Sequence, residues 1–319
     1  MELSEDELIA AITRVLSGAG PEVVIGPGDD AAVLAAPSGQ LVLTADALIE
    51  GVHFDLAFTS ARDLGYKAVV VNVSDIAAMG ASPRAAVSTL ALTPDLETGW
   101  VIELVAGMRE ACDEHALWLV GGDLTRAERI AISVTVTGDV AAGRAVTRAG
   151  ARGGDVLAVT GTLGGSAAGL RIARGGRLAG EGDRALLLMH LRPVARVGEA
   201  AVLARCGATA MIDVSDGLAK DVGRLAAASG VGVRLRPTDL PVAAGATAAE
   251  ALGGGEDYEL LVALPARPEF DAARAELRAS YGTPLTAIGD VTADRGLTQV
   301  GDDGSERPLD AAGWDHFPT

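Results

Sequence analysis

Glycine punctuates this chain. Many of its 41 glycines fall at the ends of apolar runs. That placement predicts many tight strand-to-helix turns, because glycine enters left-handed backbone without a steric cost. It argues against a helical bundle. Aromatic residues make up only 3% of the chain and hydrophobic residues 49%, so the core must be built from Ala, Val and Leu. A chain of 319 residues can bury such a core without disulfide or metal staples.

The formal net charge is −17. Phosphate backbones and acidic lipid repel such a surface, so neither nucleic acid nor a membrane is an expected partner. No stretch approaches about 18 uninterrupted apolar residues, the length of a membrane-spanning helix. The N-terminus is acidic (Glu2, Glu5, Asp6, Glu7) and lacks the basic and apolar regions of a signal peptide. Cys112 and Cys206 have no metal-ligand spacing and sit in apolar helical contexts, as buried free thiols do in a reducing compartment. A cytoplasmic location is therefore expected. Lys67 and Lys220 are the only lysines, and Gly-x-x-x-x-Gly-Lys-Ser/Thr is absent, which excludes a simple P-loop NTPase.

Ser4 and Glu7 have capping-box spacing ahead of a helix predicted over 4–17. Residues 41–45 read as a strand ending at Asp46, and Ser60 caps a helix running to about Met79. A strand at 84–92, a helix at 96–115, a buried strand at 117–120 ending in Gly121-Gly122-Asp123, and a long strand at 130–140 follow. The pattern restarts after Gly150–Gly154. Strands are expected at 155–160, 210–214, 231–236, 257–264 and 285–290, and helices at 166–174, 184–190, 194–206, 217–229, 246–252 and 268–280. Strands and helices do not strictly alternate, so a doubly wound sheet is not expected. The reading is α/β in the α+β sense: two mixed domains, 1–140 and 141–319, with a site in the cleft between them.

Six segments place an acidic residue where an apolar run ends or a glycine loop begins. They are Gly28-Asp29-Asp30, Thr44-Ala45-Asp46, Ser74-Asp75, Gly121-Gly122-Asp123, Asp213-Val214-Ser215-Asp216-Gly217 and Gly253-Gly254-Gly255-Glu256-Asp257. An ionised carboxylate among apolar neighbours, as at Asp213 or Asp75, needs a cation, donors or a raised pKa. Each alone reads as either a backbone-bonded residue or a ligand. Converging carboxylates repel by about 3 kcal/mol per pair at about 5 Å and an effective dielectric of about 20. No matching set of lysines or arginines stands beside them, so metal ions are the expected remedy. Oxygen ligands without Cys or clustered His select Mg²⁺, Mn²⁺ or Ca²⁺, and these bind phosphate oxygens too. The whole reads as a magnesium–nucleotide site. Gly161-Thr162-Leu163-Gly164-Gly165-Ser166 is either a phosphate cradle at a helix start or a tight turn. His53 is either a substrate contact or a loop residue. His115 and His190 look structural.

The most specific stretches are Gly51-Val-His-Phe54, Tyr66-Lys-Ala68 with Val71-Asn-Val-Ser-Asp75-Ile-Ala-Ala-Met-Gly80, Gly121-Gly-Asp123, Asp213-Val-Ser-Asp-Gly217 and Gly254-Gly-Glu-Asp-Tyr-Glu-Leu260. In order and spacing they resemble the thiamine-monophosphate kinases, members of the superfamily that includes aminoimidazole ribonucleotide synthetase. The likeness runs from Gly26-Pro-Gly-Asp-Asp30 to Trp314-Asp-His-Phe317. It implies an aminoimidazole ribonucleotide synthetase-like fold: an N-terminal domain that binds ATP and magnesium and dimerises through a sheet, and a C-terminal domain completing the site. It implies transfer of the ATP γ-phosphate to thiamine monophosphate in a homodimer. By this resemblance Asp30, Asp46, Asp75, Asp123, Asp213 and Asp216 hold magnesium ions. Gly122, Asp123, Arg148 and Ser215 face the nucleotide, and His53, Glu256 and Trp314 contact thiamine monophosphate. Ala45 stands where the family often has a hydroxyl residue, so the Thr44 side chain or the Ala45 carbonyl takes that metal contact.

A phosphate-ester acceptor is a competent nucleophile near neutral pH, so no general base is required. Catalysis would rest on alignment and charge neutralisation. Trp314 reads as a cation–π partner for the thiazolium or as a C-terminal packing residue. The rival readings are another ATP-dependent superfamily member, such as an aminoimidazole ribonucleotide synthetase, and a non-catalytic magnesium–nucleotide-binding regulator.

Overall fold

A computed structural model of the chain describes residues 4–16, 18, 20–28, 30–176 and 178–316. Asp29 and Phe317 lie outside the described residues. The chain divides into two compact units, one of residues 1–76 and 81–143, the other of residues 77–80 and 144–319.

The first unit contains α1 (Glu5–Val15), β1 (Val23–Ile25), β2 (Val33–Leu34), β3 (Gln40–Ile49), most of α2 (Ala61–Ala78), β4 (Ser82–Leu92), α3 (Thr98–Glu114), β5 (Trp118–Arg126) and β6 (Ala131–Val140). The capping box at Ser4 forms: Ser4 Oγ accepts from the Glu7 N–H, and Glu7 accepts from the Ser4 N–H at 2.9 Å. Strands β3, β6, β4 and β5 form one sheet in that order, antiparallel except for the parallel β4–β5 pair. Along β6 buried and half-buried residues alternate, the period of a strand with one covered face. Residues Val69–Val73 of α2 are buried all round.

Two strands run further than the sequence suggested. β3 does not stop at Asp46, because all ten of its residues pair with β6, from Gln40 opposite Val140 to Ile49 opposite Ala131. β5 likewise continues through Gly121-Gly122-Asp123 to Arg126, held by its pairing with β4. These carboxylates therefore lie within strands, not in the loops beyond them.

The second unit contains β7 (Val156–Thr160), α4 (Gly165–Arg174), α5 (Glu181–Leu191), α6 (Val197–Arg205), β8 (Ala210–Asp213), α7 (Leu218–Ser229), β9 (Gly232–Leu235), α8 (Ala248–Gly253), β10 (Leu260–Leu264), α9 (Glu269–Tyr281), β11 (Leu285–Thr292), β12 (Gly296–Val300) and β13 (Glu306–Pro308). One sheet takes the order β13-β12-β9-β11-β7-β10-β8, and only β12–β9 is parallel. Alternate strand residues feed two separate cores. Leu157, Val159, Ile212 and Leu261 pack with Val222 and Leu225 of α7. Ala158, Met211, Leu260 and Val262 pack with Leu203 of α6 and Leu277 of α9. Covering both faces explains the apolar runs without polar alternation in β8 and β10. β1, β2, β12 and β13 were not foreseen: each spans two to five residues, too few for a periodic signal.

Candidate functional site

In the first unit, β3 and α2 are stitched together by polar groups. Thr44 Oγ1 donates to Asp75 Oδ2 at 2.6 Å. The Asp46 backbone N–H donates to Asn72 Oδ1 at 2.9 Å, and Asn72 Nδ2 donates to the Ala68 carbonyl at 3.0 Å. Asn72 and Asp75 are three residues apart on α2 and so share a helix face. Thr44 and Asp46 are two apart on a strand and share a sheet face. Thr44, Asp46 and Asp75 thus form one oxygen-rich group. Ala45, of opposite parity, sits across from Thr135.

Asp123 belongs elsewhere. The register Ala47–Ser133–Thr89–Asp123 puts it on the sheet face opposite to Asp46, whose own row is Val134, Ser88 and Gly122. Asp123 instead joins Asp30 in a cleft of about 1140 Å³, lined also by Gly121, Gly122 and the α1 residues Ile9 and Ile12. Gly122 has a packing reason to be glycine: a Cβ there would stand 2.0 Å from the Ser88 carbonyl oxygen. A second cavity of about 740 Å³, with Glu50 and Arg126 in its wall, contains none of the expected site residues. His53 Nδ1 accepts from the Ile49 N–H at 3.1 Å, which fixes the ring over the turn after β3. Among the described residues no three His, Cys, Asp or Glu side chains stand close enough to hold a metal ion as placed.

In the second unit, the loop after β8 is fastened to the loop before β10. Asp213 ends β8, buried, opposite Leu260. The Tyr258 N–H donates to the Val214 carbonyl at 2.9 Å, and the Glu256 N–H to the Ser215 carbonyl at 2.8 Å. The Ser215 and Asp216 N–H groups both donate to Asp221 Oδ2 at 3.2 Å. Asp221 is wholly buried on α7, and Arg224 bridges it to Asp216, with Nη1–Oδ1 of 2.8 Å and Nη2–Oδ2 of 2.5 Å. Burial pushes the Asp221 carboxyl up, and the Arg224 guanidinium and the Asp216 N–H pull it down. Lys220 Nζ also lies 3.4 Å from Asp216 Oδ2. The expectation that no basic side chains flank the aspartates therefore fails at Asp216. Lys220 and Arg224 follow it by four and eight residues, a helical spacing readable in the sequence.

The Trp314 backbone N–H donates to the Asp216 carbonyl at 2.9 Å, and the Trp314 carbonyl accepts from Lys220. Trp314 is 49% exposed, and its ring meets that of His316 edge-on with centroids 5.7 Å apart. Arg148 offers its carbonyl to Ser229 Oγ at 2.9 Å. The α4 N-terminus is already occupied. Asp257 accepts from the Gly164 N–H at 2.7 Å and the Ser166 N–H at 3.1 Å, which supports the tight-turn reading of Gly161–Ser166 over a phosphate cradle. Burial pushes Asp257 up to about 7 despite those two donors. Glu256 Oε2 faces the buried His190 Nδ1 at 3.4 Å, and Ser166 Oγ stands 3.0 Å from the same nitrogen. Sequence reasoning gave no site role to Asn72, Asp221 or Arg224, read His190 as structural, and named Ser166 and Asp257 only as members of their glycine loops. Asp221 carried a signal, an acid inside an apolar segment, whereas Asn72 and His190 carried none.

Residues 28–140 match the N-terminal domain of AIR synthase related proteins, and residues 152–301 match the C-terminal domain. The chain is 39% identical over 334 aligned residues to the thiamine-monophosphate kinase of Escherichia coli strain K12, covering 100% of both chains. The crystal structure of the thiamine-monophosphate kinase from Stenotrophomonas maltophilia K279a superposes with a TM-score of 0.84 at 36% identity, over 96% of this chain and 98% of that one. AaThiL complexed with AMPPCP and TMP superposes with a TM-score of 0.78 at 35% identity, over 99% and 98% of the two chains. The chain belongs to the thiamine-monophosphate kinase family, within the AIR synthase related proteins.

Proposed function

We propose that this chain transfers the γ-phosphate of ATP directly to thiamine monophosphate, giving thiamine diphosphate and ADP. The observation that carries this is the match over the full length to a phosphotransferase family, one member of which is complexed with AMPPCP and TMP. AMPPCP stands in for ATP: a methylene replaces the bridging oxygen, so the γ-phosphoryl group stays in place.

Magnesium fits the donors. Thr44, Asp46 and Asp75 form one group of hard oxygen donors, and Asp30 and Asp123 form another on one cleft. Two such groups within one unit support more than one ion. Asp213 and Asp216 supply carboxylates in the second unit, and Asp216 would have to share its oxygens with Arg224 and Lys220. The Ala45 carbonyl would serve only from the β3–β6 ladder. Bound magnesium would neutralise phosphate charge as the phosphoryl group moves.

The chain's own residues bind and orient. Gly122, Asp123, Arg148 and Ser215 would face the nucleotide, and Asp221 holds the Ser215 turn in place. His53, Glu256 and Trp314 would receive thiamine monophosphate. The half-exposed Trp314 ring suits a cationic heteroaromatic face, and the Glu256 carboxylate offsets its charge. No general base is needed, since the acceptor is a phosphate ester. The protein would work in the cytoplasm as a homodimer joined through the sheet of the first unit.

Incubation with ATP, Mg²⁺ and thiamine monophosphate should yield thiamine diphosphate and ADP in equal amounts. ATP turnover that needs a purine-pathway amidine, with no thiamine diphosphate, would overturn the reading in favour of an aminoimidazole ribonucleotide synthetase. Binding of magnesium–ATP with no turnover at all would favour a regulator.

A further inference from the structure

We infer that His190, backed by Ser166, is a positioning residue that aims the Glu256 carboxylate at the cationic acceptor. The inference rests on the proposed function, because it assigns a job to a residue of the acceptor site.

Glu256 is held at both ends. Its backbone adopts φ of 64°, a left-handed conformation unusual for a residue with a side chain. Its N–H is tied to the Ser215 carbonyl at 2.8 Å. Its carboxylate is directed towards α5, where Oε2 lies 3.4 Å from His190 Nδ1. His190 is 3% exposed and Ser166 1%, so the imidazole has little room to turn. Ser166 lies in the first turn of α4, and that turn is itself pinned by Asp257 through the Ser166 N–H. Ser166 Oγ reaches His190 Nδ1 at 3.0 Å.

The chemistry of this chain of contacts is directional. An ionised carboxylate only accepts hydrogen bonds, so Nδ1 must carry the proton for the Glu256 contact to be favourable. The serine hydroxyl can accept from the same N–H and so steadies the ring in that tautomer. A glutamate is a flexible side chain, and ordering it only when substrate arrives weakens binding. Ordering it beforehand against a buried ring removes that loss. Glu256 is also fixed to Ser215, the residue expected at the nucleotide. His190 thereby sets the direction of the acceptor carboxylate relative to a turn that serves the donor. A purely structural role for His190, packing α5 against α4, predicts something different: loss of stability, with no selective change towards one substrate.

The test is steady-state kinetics on His190→Phe, His190→Asn and Ser166→Ala. Phenylalanine fills the space without a donor, and asparagine offers an N–H near the place of Nδ1. We expect His190→Phe to raise KM for thiamine monophosphate by about tenfold, with kcat and KM for ATP changed by less than about threefold. His190→Asn should recover most of the loss. Ser166→Ala should shift the same constant in the same direction by less. A double variant, His190→Phe with Glu256→Gln, should be no worse than Glu256→Gln alone, because the two residues act as one unit. Equal changes in both KM values, or additive effects in the double variant, would overturn the inference. So would a fully active His190→Phe enzyme. A wild-type protein that makes no thiamine diphosphate overturns the proposed function and this inference together, an outcome plainly separate from an active wild type indifferent to position 190.

Discussion

Asp257 shows how one residue links the site to stability. Its carboxyl is buried against the start of α4, and burial pushes it up to about 7. In the unfolded chain an aspartate loses its proton near pH 4. Between those values the folded chain holds a proton that the unfolded chain has released. Stability must therefore fall as pH rises from about 4 to about 7, and level off above. Asp257→Asn removes this titration. Urea melts at pH 5 and pH 8 should show the wild type losing more stability than the variant on going to the higher pH. An equal change in the two proteins would refute the assignment. The same residue marks what the sequence could show. Gly254-Gly255-Glu256-Asp257 was visibly an acidic glycine loop, but which backbone it caps depends on Gly164, more than ninety positions earlier. Lys220 and Arg224 were different: they lie on α7 four and eight residues after Asp216, which stands in the bend just before that helix, and this spacing alone would have exposed the pairing. Asp221 was legible as an anomaly, a carboxylate on the buried side of α7, and its two backbone partners were not.

At the scale of elements, local periodicity found most helices and the long strands, and it misjudged where strands end. β3 and β5 outrun their apolar stretches because a neighbouring strand continues, and no local signal reports a neighbour. The consequence is substantive. Reading Asp46 and Asp123 as residues beyond strand ends allowed them to converge freely, whereas strand parity sends them to opposite faces. Close helix contacts were equally invisible. α2 and α3 approach through a reciprocal pair of glycines: a Cβ on Gly65 would stand 1.8 Å from the Leu104 carbonyl oxygen, and one on Gly107 would stand 1.9 Å from that of Arg62. Gly107→Ala gains up to about 1 kcal/mol of helix propensity. It also pushes a methyl group into backbone that cannot rotate aside, at a cost of about 1–3 kcal/mol or more. The clash wins, so the variant should melt lower. Gly99→Ala, in the same helix with open space around it, should be neutral or stabilising by up to about 1 kcal/mol. Thermal melts of the two variants check the contrast. If both move the same way, packing at the crossing is not what demands glycine.

The whole molecule carries 17 net negative charges and yet leaves an apolar sheet face uncovered. In the first unit the register aligns Ala45, Thr135 and Val87 across β3, β6 and β4, with Leu41 and Leu43 further along the same face of β3. Leu41 is 58% exposed, Leu43 64% and Val87 41%. The other face of this sheet carries the buried Leu48, Ile132 and Val134. Exposed leucines in a row are a poor surface for a monomer in water, where each would stabilise by about 1.5–3 kcal/mol if buried. A second copy of the chain is the occupant that the proposed homodimer supplies, and a two-fold contact would bring this same face together with itself. The long-range repulsion between two acidic copies is screened at about 0.15 M salt, where the Debye length is about 8 Å, while apolar burial is not. Light scattering at that ionic strength should give a mass of twice 32.2 kDa for the wild type. Leu43→Asp places a charge on the face without touching the covered side of the sheet. It should lower the mass towards 32.2 kDa while leaving the circular dichroism spectrum unchanged. A variant that remains fully dimeric would show that the copies meet elsewhere, and a wild type of 32.2 kDa would remove the dimer from the proposal.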